Sequence, residues 1–163
     1  MITVDEIMSA SLYTLTESHS IYDAKQLMSE KGVRHIPIVS GEDLVGLVSQ
    51  RDVLAAAPST LLKLTPEESE ALEKAHALSE IMTRKLCTID ARESLKSAAL
   101  HLRKHKHGCL PVLCKGKLKG IITDTDFVGI AVHLIEQMEE MENGARTDDF
   151  YDEDRVQLEE DFG

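Results

Sequence analysis

The chain has 163 residues with 18 basic and 29 acidic side chains, a net charge of −11, and that length can bury one sizeable core. Residues 136–163 carry 12 of the acidic and 2 of the basic side chains, which is −10 of the total. The near-neutral remainder lacks the basic footprint that non-specific nucleic-acid binding requires, and no apolar run reaches the length of a membrane span.

In chain order, Leu12 to Leu15 reads as a short strand. Ile21, Ala24, Leu27 and Met28 then fall at helical spacing after the polar start Thr16-Glu17-Ser18-His19-Ser20. Ile36 to Val39 and Leu44 to Val48 are apolar runs separated by Ser40-Gly41-Glu42-Asp43, the pattern of a β-hairpin. Ser49-x-x-Asp52 resembles a capping box and opens a helix. Thr65-Pro66-Glu67-Glu68 supplies an N-cap, a proline at N1 and an acid at N3, followed by Ala71, Leu72, Ala75 and Leu78, so a linker helix is expected. The same series then recurs at an offset of 74. Glu6-Ile7-Met8-Ser9 returns as Glu80-Ile81-Met82-Thr83, Ile36-Pro37-Ile38-Val39 as Leu110-Pro111-Val112-Leu113, and Gly46-x-x-Ser49-x-x-Asp52 as Gly120-x-x-Thr123-x-x-Asp126. The last helix runs from Asp124 with Phe127, Val128, Ala131, Leu134, Ile135 and Met138 on its apolar side, and Asn143-Gly144 marks its expected end.

The implied division is a first motif over residues 1–57, a linker helix over 58–77 and a second motif with an extended helix over 78–143. An acidic tail over 144–163 is read as disordered, although Phe150, Tyr151 and Phe162 interrupt its charge. Three cysteines, Cys87, Cys109 and Cys114, form no disulfide framework, and no basic-then-apolar leader precedes Met1-Ile2-Thr3. The expected compartment is a reducing cytoplasm.

Strand, helix, Pro-containing strand, hairpin and Gly-h-h-Ser/Thr-x-x-Asp, present twice, resemble the cystathionine-beta-synthase (CBS) domain family over residues 1–140. The resemblance implies an α/β (α+β) fold in which two pseudo-twofold-related β-α-β-β-α motifs form one Bateman module. It also implies a regulatory ligand containing adenosine: AMP, ADP, ATP or S-adenosylmethionine. Its sites are composite. Thr123, Thr125 and Asp126 would face Leu12, Tyr13, Arg34, His35, Ile36 and Pro37. Ser49, Arg51 and Asp52 would face Leu86, Cys87, Gly108, Cys109, Leu110 and Pro111.

The residue chemistry agrees with that assignment. An ionised carboxylate, as at Asp52 or Asp126, can accept from both hydroxyls of a ribose. A helix start at Ser49 or Thr123 favours a phosphate, and Gly46 and Gly120 are expected to leave room for ligand. Each Ser/Thr-x-x-Asp is also a sufficient helix cap with no ligand at all. The Asp126 site is expected to dominate because Arg34 offers it a cation where the reciprocal position is Gly108, with His105 and His107 as possible compensation at the second site.

The series His101-x-x-x-His105-x-His107-x-Cys109-x-x-x-x-Cys114 has ligand-type side chains without paired spacing, and no metal is expected. No P-loop, nucleophile elbow or HExxH helix occurs, so no enzyme is expected. The expected function is a stand-alone sensor that signals metabolite state to a protein partner and forms a homodimer through helices that include Ile130-Ala131-Leu134-Ile135. The competing expectation is a ligand-free interaction module acting through its helical face or acidic tail.

Overall fold

In the computed structural model the backbone is described for residues 1–160 and the side chains for residues 1–144. The chain divides into two compact units, Met1–Asp124 and Thr125–Gly163. The elements are α1 (Ile21–Lys31), β1 (His35–Ser40), β2 (Asp43–Ser49), α2 (Gln50–Ala56), α3 (Pro66–Ala75), β3 (Ile89–Asp90), α4 (Leu95–His105), β4 (Cys109–Cys114), β5 (Lys117–Thr123) and α5 (Asp124–Glu160).

Local chemistry sets the helix starts. Ser20, Ser49 and Thr65 each accept from the backbone N–H three residues on, and Asp23, Asp52 and Glu68 return the bond to the cap backbone; Ser94 caps α4 with the hydroxyl alone. The linker helix α3 begins as the sequence indicates, with Pro66 at its first turn. It is tied to α1 by Lys25 Nζ on Glu73 Oε1 at 2.9 Å, where the Glu73 side chain is buried. That pairing is what makes a buried carboxylate tolerable.

β1 and β2 form an antiparallel hairpin, and β4 and β5 form its counterpart, each with a register shift at the equivalent place, Ile38/Val39 and Val112/Leu113. In the second repeat β3 adds in parallel to β4. In the first, the expected strand Leu12–Leu15 reduces to a single parallel bridge, Leu15 with Ile38. Its hydrogen bonds are Leu15 N–H to Pro37 O at 3.2 Å and Val39 N–H to Leu15 O at 2.9 Å. Leu12 and Tyr13 therefore lie outside any strand.

The two repeats exchange their leading segments. Val4 N–H donates to Glu93 O at 2.9 Å and Leu78 N–H to His19 O at 2.8 Å; Ser9 bridges Ile121 and Thr83 bridges Leu47. Every one of these contacts maps onto its mate by the offset of 74. The exchange also fills the cores. Leu78 and Met82, from the second repeat, lie in the cluster of Ile21, Ala24, Met28, Ile36, Ile38, Val48 and Val53 from the first. Fully burying a side chain such as Leu78 stabilises by roughly 1.5–3 kcal/mol, so each repeat depends on the other's leader. Asp43 and Lys117 occupy equivalent positions and pair with each other at 2.6 Å, which puts this ion pair on the pseudo-twofold axis. The fold is thus the expected α/β arrangement of two interlocked motifs.

Two sequence expectations are corrected. Gly46 and Gly120 do not open space for a ligand: a Cβ on Gly46 would stand 2.6 Å from Met82 Sδ, and Gly120 is crowded in the same way by Met8. α5 continues through Asn143-Gly144 to Glu160, since one glycine costs only about 1 kcal/mol within a run of good helix formers. The tail expectation otherwise concerns side chains beyond Gly144, outside the described residues.

Candidate functional site

The Leu47–Thr83 bridge carries the site. Leu47 N–H donates to Thr83 O at 3.0 Å and Thr83 N–H to Leu47 O at 2.9 Å. This pair of hydrogen bonds lays the segment Thr83 to Cys87 of the second repeat beside the end of β2 and the start of α2 in the first. A third wall arrives with the α4–β4 turn, where a Cβ on Gly108 would stand 3.7 Å from His35 Cε1 and 3.4 Å from Asp124 Oδ2. The resulting open cleft, about 240 Å³, is lined by Leu47, Ser49, Arg51, Asp52, Thr83 and Lys85, with Leu86, Cys87, Lys106, His107, Cys109 and His35 completing it. That volume lies just below the range of roughly 300–1,000 Å³ for small-molecule sites.

Asp52 serves two purposes at once. Its Oδ2 accepts from Ser49 N–H at 2.7 Å and from the Ser49 hydroxyl at 2.9 Å, while its own N–H donates to Ser49 Oγ at 3.2 Å. Oδ1 takes no hydrogen bond among the described residues, which leaves one carboxylate oxygen available in the cleft wall. Arg51, Lys85 and Lys106 line the same cleft, and among the described residues none of the three is in an ion pair. Set against Asp52, these three cations give the cleft an excess of two positive charges. Burial depresses the pKa of His35, opposed in part by the Asp124 carboxylate, so its imidazole is neutral at pH 7.

Lys106 has a backbone cost. It caps the C-terminus of α4 in the left-handed region at φ 55°, where the equivalent residue of the first repeat is Gly32 at φ 65°. A non-glycine residue there gives up roughly 1–2 kcal/mol, and Lys106 is among the residues that line the cleft.

The sequence assigned Ser49, Arg51, Asp52, Leu86, Cys87 and Cys109 to this cleft, and all six line it. Gly108, Leu110 and Pro111 were assigned with them and are not among the lining residues; Leu110 and Pro111 are wholly buried in the core. His35, assigned to the reciprocal set, lines this cleft instead. Ile36 and Pro37 are fully buried. The remaining members of the Asp126 set are distributed: Leu12, Tyr13, Arg34 and Thr123 belong to the first unit, whereas Thr125 and Asp126 open α5 in the second. Sequence reasoning missed Leu47, Thr83, Lys85 and Lys106. The signal for Lys106 was available, as a lysine standing at the position where the other repeat has glycine.

The CBS domain model matches residues 4–59 and 78–133. The chain belongs to the CBS domain family. Among solved structures, this CBS pair is similar to a putative acetoin utilization protein of Vibrio cholerae, at 42% identity and a TM-score of 0.70, covering 86% of this chain and 97% of that one. It is also similar to the CBS-pair protein CBSX2 of Arabidopsis thaliana, solved in complex with AMP, at 30% identity and a TM-score of 0.67, over 82% of this chain and 98% of that one. A 33.4 kDa protein of Thermofilum pendens is 30% identical over 126 residues, 77% of this CBS pair, which spans 42% of that relative. Among the described residues, no helix of the pair is long and apolar enough to cross a membrane.

Proposed function

We propose that the chain is a regulatory CBS pair whose Asp52 cleft takes an adenosine ligand bearing phosphate, with AMP, ADP and ATP favoured over S-adenosylmethionine. The carrying observation is the convergence of a half-used carboxylate with Arg51, Lys85 and Lys106 in one cleft. Asp52 Oδ1 accepts from a ribose hydroxyl, the start of α2 and the three cations hold phosphate, and Leu47, Leu86 and the Cys87 thiol supply the apolar side for the base. A sulfonium ligand brings positive charge to a site that already has an excess of it. The AMP complex of CBSX2 supports the adenosine assignment. The sequence favours the Asp126 set on account of Arg34; we favour the Asp52 cleft, where Arg51, Lys85 and Lys106 supply cations.

Occupancy acts as a signal by bridging the two repeats, since the cleft walls come from both, and no catalytic step is assigned to it. Cytoplasmic residence fits three free cysteines. Isothermal titration of the full chain with AMP, ADP, ATP, S-adenosylmethionine and NAD tests the reading. Binding of AMP, weakened by Asp52→Asn, is expected. Absence of binding by all five would leave the interaction-module reading, for which the exposed apolar residues of α5, Val128, Val132, Leu134, Ile135, Met138 and Met141, are the specific observation.

A further inference from the structure

One group of side chains at the cleft has metal-donor atoms that nucleotide recognition does not call on, since there Cys87 serves only as apolar wall and His105 and His107 take no part. Cys87 Sγ and one ring nitrogen from each of His105 and His107 all lie within 4.8 Å of one another. Cys87 is partly buried, and both histidines are exposed at the surface. The residues come from two segments: Cys87 from the chain after the Thr83 bridge, and the histidines from the end of α4 and the turn that follows Lys106. This is why the spacing of His101 to Cys114 did not disclose the set, and neither Cys109 nor Cys114 belongs to it.

We propose that Cys87, His105 and His107 form a binding site for a borderline-soft divalent cation of the zinc class. One thiolate and two imidazoles are donors suited to such an ion, and three protein ligands leave a fourth position open. Tetrahedral coordination at about 2.0–2.3 Å requires donor separations of roughly 3.3–3.7 Å, so from separations of no more than 4.8 Å the set has at most about 1.5 Å to close, within reach of rotating two exposed rings. Cys87 and His107 are also in the wall of the cleft, so the site borders it.

Two further observations favour the site. His101 stands behind it, its ring centroid 4.4 Å from that of His105, with a buried Nε2 that has no hydrogen-bond partner. A buried, unpartnered nitrogen is the kind of atom that an absent ion or its water would satisfy. The first repeat gives the comparison: its equivalents of Cys87, His105, His107 and His101 are Tyr13, Lys31, Val33 and Leu27. Lys31 Nζ lies 5.4 Å from the centre of the Tyr13 ring, so the positions of Cys87 and His105 meet in both repeats and only the second supplies donors. The site goes beyond the nucleotide reading and does not rest on it.

The test is titration of the chelator-stripped full chain with Zn²⁺ alone, in competition with a chromophoric chelator, together with Co²⁺ absorption spectroscopy. Expected are one ion per chain and a thiolate-to-cobalt charge-transfer band that disappears in Cys87→Ser. Affinity should fall at least about tenfold in Cys87→Ser, His105→Ala and His107→Ala and stay unchanged in Cys114→Ser and His133→Ala. Circular dichroism establishes that each variant is folded. Absence of binding by the wild-type chain overturns the proposal, and so does binding that survives all three substitutions. Because the probe is the metal alone, either failure leaves the Asp52 nucleotide measurement standing.

Discussion

Asp52 and Asp23 occupy nearly the same local geometry and differ in surroundings, which separates a capping role from a binding role. Asp23 Oδ2 accepts from Ser20 N–H at 2.8 Å and from its hydroxyl at 2.9 Å, as Asp52 does from Ser49, but only Asp52 lines the cleft. Replacing either with Asn should destabilise by about 0.5–2 kcal/mol. Asp52→Asn alone should weaken AMP by roughly 10- to 100-fold, the loss of a charge-assisted hydrogen bond of about 1.5–3 kcal/mol. Equal losses of AMP affinity in the two variants would remove Asp52 from the site. The pH dependence of the Asp23 cap has a definite sign. The Ser20 backbone N–H holds the Asp23 carboxyl below its ordinary 3.8, so its stabilisation is complete above that value and is lost as pH falls through the depressed folded-state pKa. Acid titration of stability should therefore show the gap between wild type and Asp23→Asn closing below pH 3.8. Lys106→Gly makes a separate prediction with two opposed signs: relief of left-handed strain, less the extra freedom of glycine in the unfolded chain, should raise stability by up to about 1 kcal/mol. The same change should weaken nucleotide binding, most at low salt. Denaturant melts and titrations on one preparation read both, and a stabilised variant with undiminished affinity would show that Lys106 does not touch phosphate.

At the scale of elements, the exchanged leaders explain what was legible in the sequence and what was not. The repeat, the hairpins, the capped starts of α2 and α3 and most of the Asp52 set were readable because they depend on local pattern: apolar alternation, Ser/Thr-x-x-acid and a fixed offset. The meaning of Gly46 was not readable, since the atom that fills its space, Met82 Sδ, comes from a segment 36 residues later. Lys85 and Thr83 were missed for the same reason, because only the bridge to Leu47 turns that segment toward α2. The metal set was hidden by the distance in sequence between Cys87 and the two histidines. Gly46→Ala tests the exchange. Its methyl would overlap the Met82 side chain, at a cost of about 1–3 kcal/mol. Met82→Ala also destabilises, by emptying a core position, yet the double variant should be less unstable than the sum of the two by at least about 0.5 kcal/mol. Strict additivity in chemical denaturation would mean that the leader does not hold this place in solution.

For the whole molecule the governing features are an acidic C-terminal region and an exposed apolar stripe on α5. Val128, Val132, Ile135 and Met138 recur at intervals of four, three and three residues, with Leu134 and Met141 beside them, and all are about half exposed or more. A stripe with this spacing matches the face that one helix offers another, and its most economical cover is the same surface on a second copy related by a twofold axis. Four glutamates, Glu136, Glu139, Glu140 and Glu142, flank it, so bringing two such helices together also concentrates negative charge. We therefore expect a homodimer whose association strengthens with salt, in contrast to nucleotide binding at the cationic cleft, which salt should weaken. Light scattering at tens of micromolar should give twice the 18.1 kDa chain mass. The pair Leu134→Asp and Ile135→Asp together should return the monomer mass without loss of the fold, because both side chains are exposed in the single chain. A wild-type monomer across the whole salt range would assign the stripe to a different protein. A dimer indifferent to the double substitution would move the interface away from α5.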